Sequence, residues 1–321
     1  MAETTAAGEK TLALKGLEES GVTWIHIEKP TTADSQYLAR RFPFHPLSLE
    51  DILSHQIRPK IDEFSDHLFV VLRFPFYDEE HKLVVSAELD IFIGKGYLVT
   101  IDCIGRLRGV ARLLDAYQTD EKMRQDDFSK GSGYLLYRIL DGLVDRRLPL
   151  IAQIDKRIEA VEDNLLSGKP SGVISEISSL RRDIIAMRGA IWPGRNLIAE
   201  MEPRIAPYAN MNLKPYLNEV ANHLDIIWDS FCEYKEVIEG LNDTHLSLAQ
   251  YRSNDILRVL TIVMLVGTVL TVVVGFFGMN IPLQPLGSDP GGHVLAWAVI
   301  VLMCIAVTGV MMLYFWRKGW L

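Results

Sequence analysis

Eight residues toward the C-terminal end recur at alternating steps of three and four: Asn254, Leu257, Thr261, Met264, Thr268, Thr271, Gly275 and Gly278. That spacing is the seam of a helix packed in a coiled-coil-like bundle. In lipid, small and hydroxylated side chains on such a seam let helices approach closely. The same groups suit the lining of a water-filled path, which one hairpin cannot enclose and several copies can. The spacing leaves both readings open. Asn254 brings an amide to one end of the seam. At the other end, "VVVGFFGMNIPLQP" closes an apolar run on Gly278, Met279 and Asn280, with Pro282 and Pro285 just beyond. Side-chain and backbone carbonyls there are neutral oxygens. They suit a hard cation that keeps its water, as Mg²⁺ does, and selectivity sites are built from rings of such groups.

Other chemistry is sparse. The chain shows no nucleophile–base pair, no phosphate-binding glycine loop and no dinucleotide fingerprint, so an enzyme is not expected. Cys103, Cys232 and Cys304 are widely spaced singletons that form neither a disulfide framework nor a zinc spacing. His223 lies one helical turn from Glu219, where it could add a nitrogen ligand or simply be an exposed helix residue. The run Asp155, Glu159, Glu162 and Asp163 has helical spacing and reads as a solvated or basic-facing flank. A net charge of −8 speaks against a nucleic-acid partner and is compatible with attracting cations.

The seam must be held by elements that cross a membrane. Between Val259 and Trp316 there is one acid, Asp289, one histidine, His293, and no Lys or Arg. The uncharged stretches Val259–Asn280 and Val294–Trp316 each approach the roughly 20 residues that span a bilayer as a helix. Arg252, Arg258, Arg317 and Lys318 flank the outer ends of this hairpin, and its connecting loop carries no Lys or Arg. The positive-inside rule then places both termini in the cytoplasm. The N-terminus has no apolar run of signal-peptide length. A multi-pass protein of the cytoplasmic (inner) membrane is expected, with the lipid bilayer as partner.

Upstream, Val22–Lys29, His67–Phe76, Leu83–Gly94 and Gly96–Asp102 are β-branched and aromatic runs bounded by turn residues, and read as strands. His45–Ser54 reads as a short helix. Tyr134–Leu166 has helical periodicity for some 30 residues, breaks at Ser167–Gly172, and gives way to a second helical run that stops at Pro193-Gly194. Between Pro215 and Pro282 there is no proline. One helix of about 60 residues there would be about 90 Å long, a stalk running into the membrane. The expected organisation is an α/β domain over 1–132, a helical stalk over 133–258 and a first membrane helix over 259–280. An outer loop over 281–293, a second membrane helix over 294–316 and a basic tail over 317–321 complete it.

These blocks together resemble the CorA-type divalent-cation channels over most of the chain. Gly278-Met279-Asn280 matches the family's signature, here preceded by Phe276-Phe277 and set between two terminal membrane spans. "HPLSLEDILSHQIRPKIDEF" (His45–Phe64) resembles the cytoplasmic-domain signature, and "IWPGR" (Ile191–Arg195) the turn between stalk helices. "SNDILRVLTIV" (Ser253–Val263) resembles the start of the pore helix, and "RKGWL" the basic tail. The resemblance implies an α+β protein: an N-terminal α/β/α sandwich, a long helical stalk and two C-terminal transmembrane helices, assembled as a funnel-shaped homopentamer. It implies that Asn280 holds a hydrated ion at the outer entrance and that Asn254 forms an inner polar ring. Leu257 and Leu260 would be a hydrophobic gate, Thr271 a hydroxyl ring and Gly275 a point of close approach. The cargo implied is Mg²⁺, with Co²⁺ and Ni²⁺ as secondary ions. A Gly- and Pro-rich outer loop is shared with the ZntB branch, which makes proton-coupled Zn²⁺ transport the alternative.

The resemblance also implies cytoplasmic carboxylates that bind regulatory Mg²⁺ between subunits. An ungapped match on Asn254 and Asn280 puts Glu219 at the stalk position of that site. Its partner would come from the turn "YDEEHK", from Asp78, Glu79 or Glu80, and Asp243 matches a second position further along the helix.

Overall fold

The computed structural model describes residues 14–54, 58–167, 172–278 and 290–319. They form two compact units, Met1–Asn242 and Asp243–Leu321.

In the first unit the expected strands form. β1 (Leu14–Glu19), β2 (Val22–Glu28), α1 (Thr32–Arg41), α2 (Pro46–Ser54), β3 (Lys60–Glu63), β4 (His67–Asp78), β5 (Leu83–Gly94) and β6 (Tyr97–Asp102) follow in chain order. They make a six-stranded mixed sheet in the order β1-β2-β6-β5-β4-β3, antiparallel except for the parallel β2–β6 pair. Successive side chains alternate between faces. Ile25, Ile27, Phe69, Val71, Phe92, Val99 and Ile101 point to one face and pack with Leu38 of α1 and Leu49 and Ile52 of α2. A capping box starts α1: Thr31 Oγ1 accepts from Asp34 N, and Asp34 Oδ2 accepts from Thr31 N at 2.8 Å.

The other face carries Trp24, which donates to Thr100 Oγ1 at 3.0 Å and meets Tyr117 edge-on. Tyr117 belongs to α3 (Arg108–Thr119), which is followed by α4 (Glu121–Ser129), α5 (Ser132–Asp145), α6 (Leu148–Leu166) and α7 (Val173–Ile205). Helices α5 and α7 pack on this face, which completes three layers, α/β/α. Asp183 of α7, fully buried, accepts from Val84 N of β5 at 2.9 Å and from Arg157 of α6 at 2.7 Å.

Two helical expectations change. The run over Tyr134–Leu166 is not one helix: it breaks at Arg146-Arg147, between α5 and α6. Pro149 accounts for the break: it has no N–H to donate to the Asp145 carbonyl, as a continuous helix would need, and it is tolerated in the first turn of α6, where that N–H is not required. The second run does not stop at Pro193-Gly194, and "IWPGR" is not the turn between helices. Helix α7 passes through Pro193 and Pro203 to Ile205. An interior proline costs about 3 kcal/mol, and packing against α8 (Lys214–Phe277) offsets it. Trp192 and Trp228 have ring centroids 4.7 Å apart, Arg195 pairs with Asp225, and Ile191 and Ile198 are buried. The turn falls later, at a single 3₁₀ turn over Ala206–Tyr208.

Helix α8 is the expected stalk: 64 residues in one piece, about 96 Å long. Pro215 sits in its first turn, where no backbone N–H is missed. Its C-terminal part and α9 (Pro290–Arg317) make up the described helices of the second unit.

Candidate functional site

Both α8 and α9 contain windows apolar and uncharged enough to cross a membrane, and only 6% of each window is buried. A core hairpin of a soluble protein would be mostly covered, so this pair fits two transmembrane spans. The exposure is patterned. On α8 the less exposed residues are Arg258, Ile262, Val266, Val269, Leu270 and Val273; on α9 they include Ile300, Cys304, Val307, Met311 and Phe315. Each helix thus has one covered stripe at helical spacing.

The seam lies on the opposite side of α8. Asn254, Leu257, Leu260, Thr261, Met264, Thr268, Thr271, Gly275 and Gly278 are all exposed. Met264 is 61% exposed against 6% for Ile262. Within one chain nothing described covers this apolar and hydroxylated face. Its three threonines donate back along the helix: Thr261 to the Leu257 carbonyl at 2.7 Å, Thr268 to Met264 and Thr271 to Gly267, both at 2.8 Å. With the hydroxyl proton spent there, each Oγ1 presents acceptor lone pairs outward, the polarity an ion's water shell requires. Gln250 donates to Asn254 Oδ1 at 3.2 Å. Gly278 N donates to the Val274 carbonyl at 2.9 Å, so the helical pattern reaches the first signature residue. Met279 and Asn280 lie outside the described residues.

The acidic candidates sort into separate places. Asp78 ends β4, and the turn of the β4–β5 hairpin wraps onto its carboxylate. Oδ1 accepts from Glu80 N at 3.0 Å and Oδ2 pairs with His81 Nδ1 at 2.9 Å. The His81 hydrogen bond, helped by the turn's amides, holds Asp78 below its ordinary value. Asp78, Glu80 and His81 each offer a ligand atom within 4.8 Å of the others. Glu79 and Glu80 are exposed, and Asp243 is exposed on α8.

Glu219 is exposed on α8 and acts on Tyr137 and Asp141 of α5. Asp141 is raised above the carboxylate range by burial, by Asp145 and by Glu219. Asp141, Asp145 and His223 form a second three-ligand group within 4.8 Å, with His223 Nδ1 3.2 Å from Asp145 Oδ1. Reading the sequence alone misses Asp141 and Asp145. The available signal was two i,i+4 pairs, Asp141/Asp145 and Glu219/His223, on helices that turn out to face each other. The Asp155 and Glu159 part of the acidic run faces Tyr234 of α8.

The model of the CorA-like Mg²⁺ transporter protein family matches residues 19–318. The chain belongs to the CorA family. That is a family of transporters, not of enzymes. The cobalt/magnesium transport protein CorA of Thermotoga maritima is 29% identical over 95% of this chain and 85% of its own length. The zinc transport protein ZntB of Yersinia enterocolitica is 22% identical over 88% of this chain and 84% of its own. The complete structure of the CorA magnesium transporter from Methanocaldococcus jannaschii superposes with a TM-score of 0.81 at 23% identity, over 94% of this chain and 92% of that one. The α+β domain, the long helix and the two terminal apolar helices are therefore the CorA fold.

Proposed function

We propose that five copies of this chain form a gated channel for hydrated divalent cations, with Mg²⁺ as main cargo and Co²⁺ and Ni²⁺ as secondary ones. The observation that carries it is the open seam. A transmembrane helix presents Asn254, three threonine oxygens and two glycines on the side that its own hairpin partner leaves bare. Copies arranged around that side close a path lined by oxygen acceptors, with Leu257 and Leu260 as an apolar constriction near the inner end. Gly278, Met279 and Asn280 then ring the outer entrance. Residues 1–258 and the tail lie in the cytoplasm, and the loop over 281–293 faces outward, a reading supported by the placement of Arg252, Arg258, Arg317 and Lys318.

Regulation rests on the acidic clusters. Asp78, with Glu79 and Glu80, meets Glu219 of a neighbouring copy, and Asp243 supplies a second position. Mg²⁺ bridging these carboxylates favours the closed arrangement only if it binds there more tightly than in the open one.

A second reading is proton-coupled Zn²⁺ transport, favoured by the similarity to ZntB and by an outer loop with the single acid Asp289. Flux into proteoliposomes separates the two. Mg²⁺ uptake driven by a membrane potential and indifferent to a pH gradient is expected. Zn²⁺ uptake that needs the gradient, without Mg²⁺ uptake, overturns the Mg²⁺ reading.

A further inference from the structure

Strands β5 and β6 bring together three groups that the ion path does not use. The register pairs Leu89 with Asp102, which sets Glu88 beside Cys103, and Cys103 N donates to the Glu88 carbonyl at 3.3 Å. Asp90, two residues along β5, lies on the same face. Cys103 Sγ is 3.3 Å from Asp90 Oδ2 and 3.8 Å from Glu88 Oε1. One ligand atom from each residue lies within 4.8 Å of the other two. This is no solvated acidic patch: Glu88 is 4% exposed, Asp90 0% and Cys103 5%. Cys103 belongs to the apolar cluster under α2, with Ile52 and Ile101.

The hydrogen bonding is incomplete. A thiol has one weak proton to donate, and it reaches Asp90 Oδ2. Asp90 Oδ1 is buried and meets no donor among the described residues. Leaving a buried acceptor unpaired costs about 1–3 kcal/mol, and more for a charged group. Lys60, the cation acting on Asp90, has its ammonium bonded to Asp51 at 2.7 Å and to Asp62 at 2.6 Å. Burial, with Glu88 beside it, raises Asp90 to about 8, and burial with the neighbouring carboxylates drives the Cys103 thiol far above its ordinary range.

We propose that Glu88, Asp90 and Cys103 form a binding site for a borderline-soft divalent cation, Zn²⁺ or Co²⁺, set inside the α/β/α domain and apart from the ion path. One sulfur and two carboxylates make a three-ligand set, one short of zinc's usual four. The sulfur decides the metal class, because thiolate selects Zn²⁺ and Co²⁺ over Mg²⁺, which demands an octahedral shell of oxygens. Binding forms the metal–sulfur and metal–oxygen bonds and breaks the S–H bond of Cys103 and the O–H bond of Asp90. Both protons leave to solvent, and no electron moves.

Co²⁺ titration of the purified, chelator-stripped full chain tests it. The expected result is a near-ultraviolet thiolate-to-cobalt charge-transfer band that saturates at one Co²⁺ per chain, with proton release. Excess Zn²⁺ erases the band and excess Mg²⁺ leaves it. The seam carries no thiol, so Co²⁺ held there adds nothing to the band. Cys103→Ser abolishes the band, Cys232→Ser and Cys304→Ser keep it, and Asp90→Asn weakens Co²⁺ binding by more than about tenfold, as losing a direct ligand should. A wild-type chain that shows no band overturns the site whatever the variants do. So does a band that survives Cys103→Ser.

Discussion

Asn280 follows the last apolar turn of the first membrane span, and its amide has two possible occupations. Under the channel reading it hydrogen-bonds the water shell of an arriving ion without trapping the ion, which conduction requires. As a structural residue it merely caps the helix, a place where Asn and Gly are both common. Asn280→Ala should abolish selective Mg²⁺ flux with the oligomer intact. Asn280→Gly decides between the roles, because glycine keeps a cap and removes the ion contact: near-normal Mg²⁺ flux in that variant would make Asn280 a cap. A second single residue sets a pH dependence. His26 is 1% exposed, its Nδ1 faces Thr100, and Glu28 Oε1 lies 3.8 Å from its Nε2. Burial, with a smaller push from Lys15, lowers it to about 4 against the pull of the Thr100 carbonyl and Asp115. The unfolded chain protonates this imidazole near pH 6.5. Stability from neutral His26 is therefore present above about pH 6.5 and is lost as pH falls toward about 4, a loss of roughly 3 kcal/mol over the window. His26→Gln should flatten that slope, read as urea midpoints at a series of pH values between these limits. Superimposable slopes in the two proteins would remove His26 as the cause.

Helix α7 shows how an element departs from its local sequence. Pro193-Gly194 is a stop by every short-range rule, yet the helix continues, because Trp192 on Trp228 and Arg195 with Asp225 hold the following turns on α8. Those partners lie 30 or more residues away, out of reach of any local window. The strands were legible for the converse reason: β2, β4, β5 and β6 carry dense β-branched and aromatic runs whose burial is their own signal. β1 (LKGLEE) has no such run, and its strand state comes from pairing with β2. The seam was readable because a 3-4 repeat is a property of one helix. The Asp141/Asp145 cluster was not, because it depends on α5 facing α8. At this scale Asp183 is the tie to test, since one buried carboxylate joins α7 to the edge of β5 and to Arg157 of α6. Asp183→Ala orphans the Val84 N–H and removes one of three hydrogen bonds from Arg157, which keeps Glu176 and Ser179; leaving a buried donor unpaired costs about 1–3 kcal/mol. The variant should unfold at a clearly lower temperature in detergent, while Asp163→Ala on the exposed end of α6 should not. Equal midpoints for the two would show that the tie contributes little.

At the scale of the whole molecule, a single chain is chemically incomplete. Two membrane helices enclose no path, and the exposed seam sets three hydroxyls where lipid alone would leave their polarity unused. The acidic groups on the other unit pose the same problem in charge: Asp145 and Glu219 both act on Asp141, and under the proposed regulation a divalent cation shared with the Asp78 turn of a neighbour would relieve them. If that bridge holds the closed arrangement, Mg²⁺ should protect the wild-type chain from proteolysis, and the Asp78→Ala/Glu219→Ala double variant should lose most of that protection. Protection unchanged in the double variant would move the regulatory site elsewhere. Assembly itself is the broader prediction. Helix α8 presents the seam without interruption from Asn254 to Gly278, about 36 Å of rise, long enough to line the full hydrocarbon thickness and continue beyond it. Two or three copies brought together on small residues alone would pack the seam shut, as close helix contacts in lipid do. A water-filled lumen needs more copies, with the covered stripe of α8 turned away from it. Native mass spectrometry in mild detergent should therefore give a pentamer, and under the channel reading, in which the Asn280 amide serves the ion, that pentamer should survive Asn280→Ala. A monomer or dimer as the dominant species would leave the seam as a simple packing surface and take the channel reading with it.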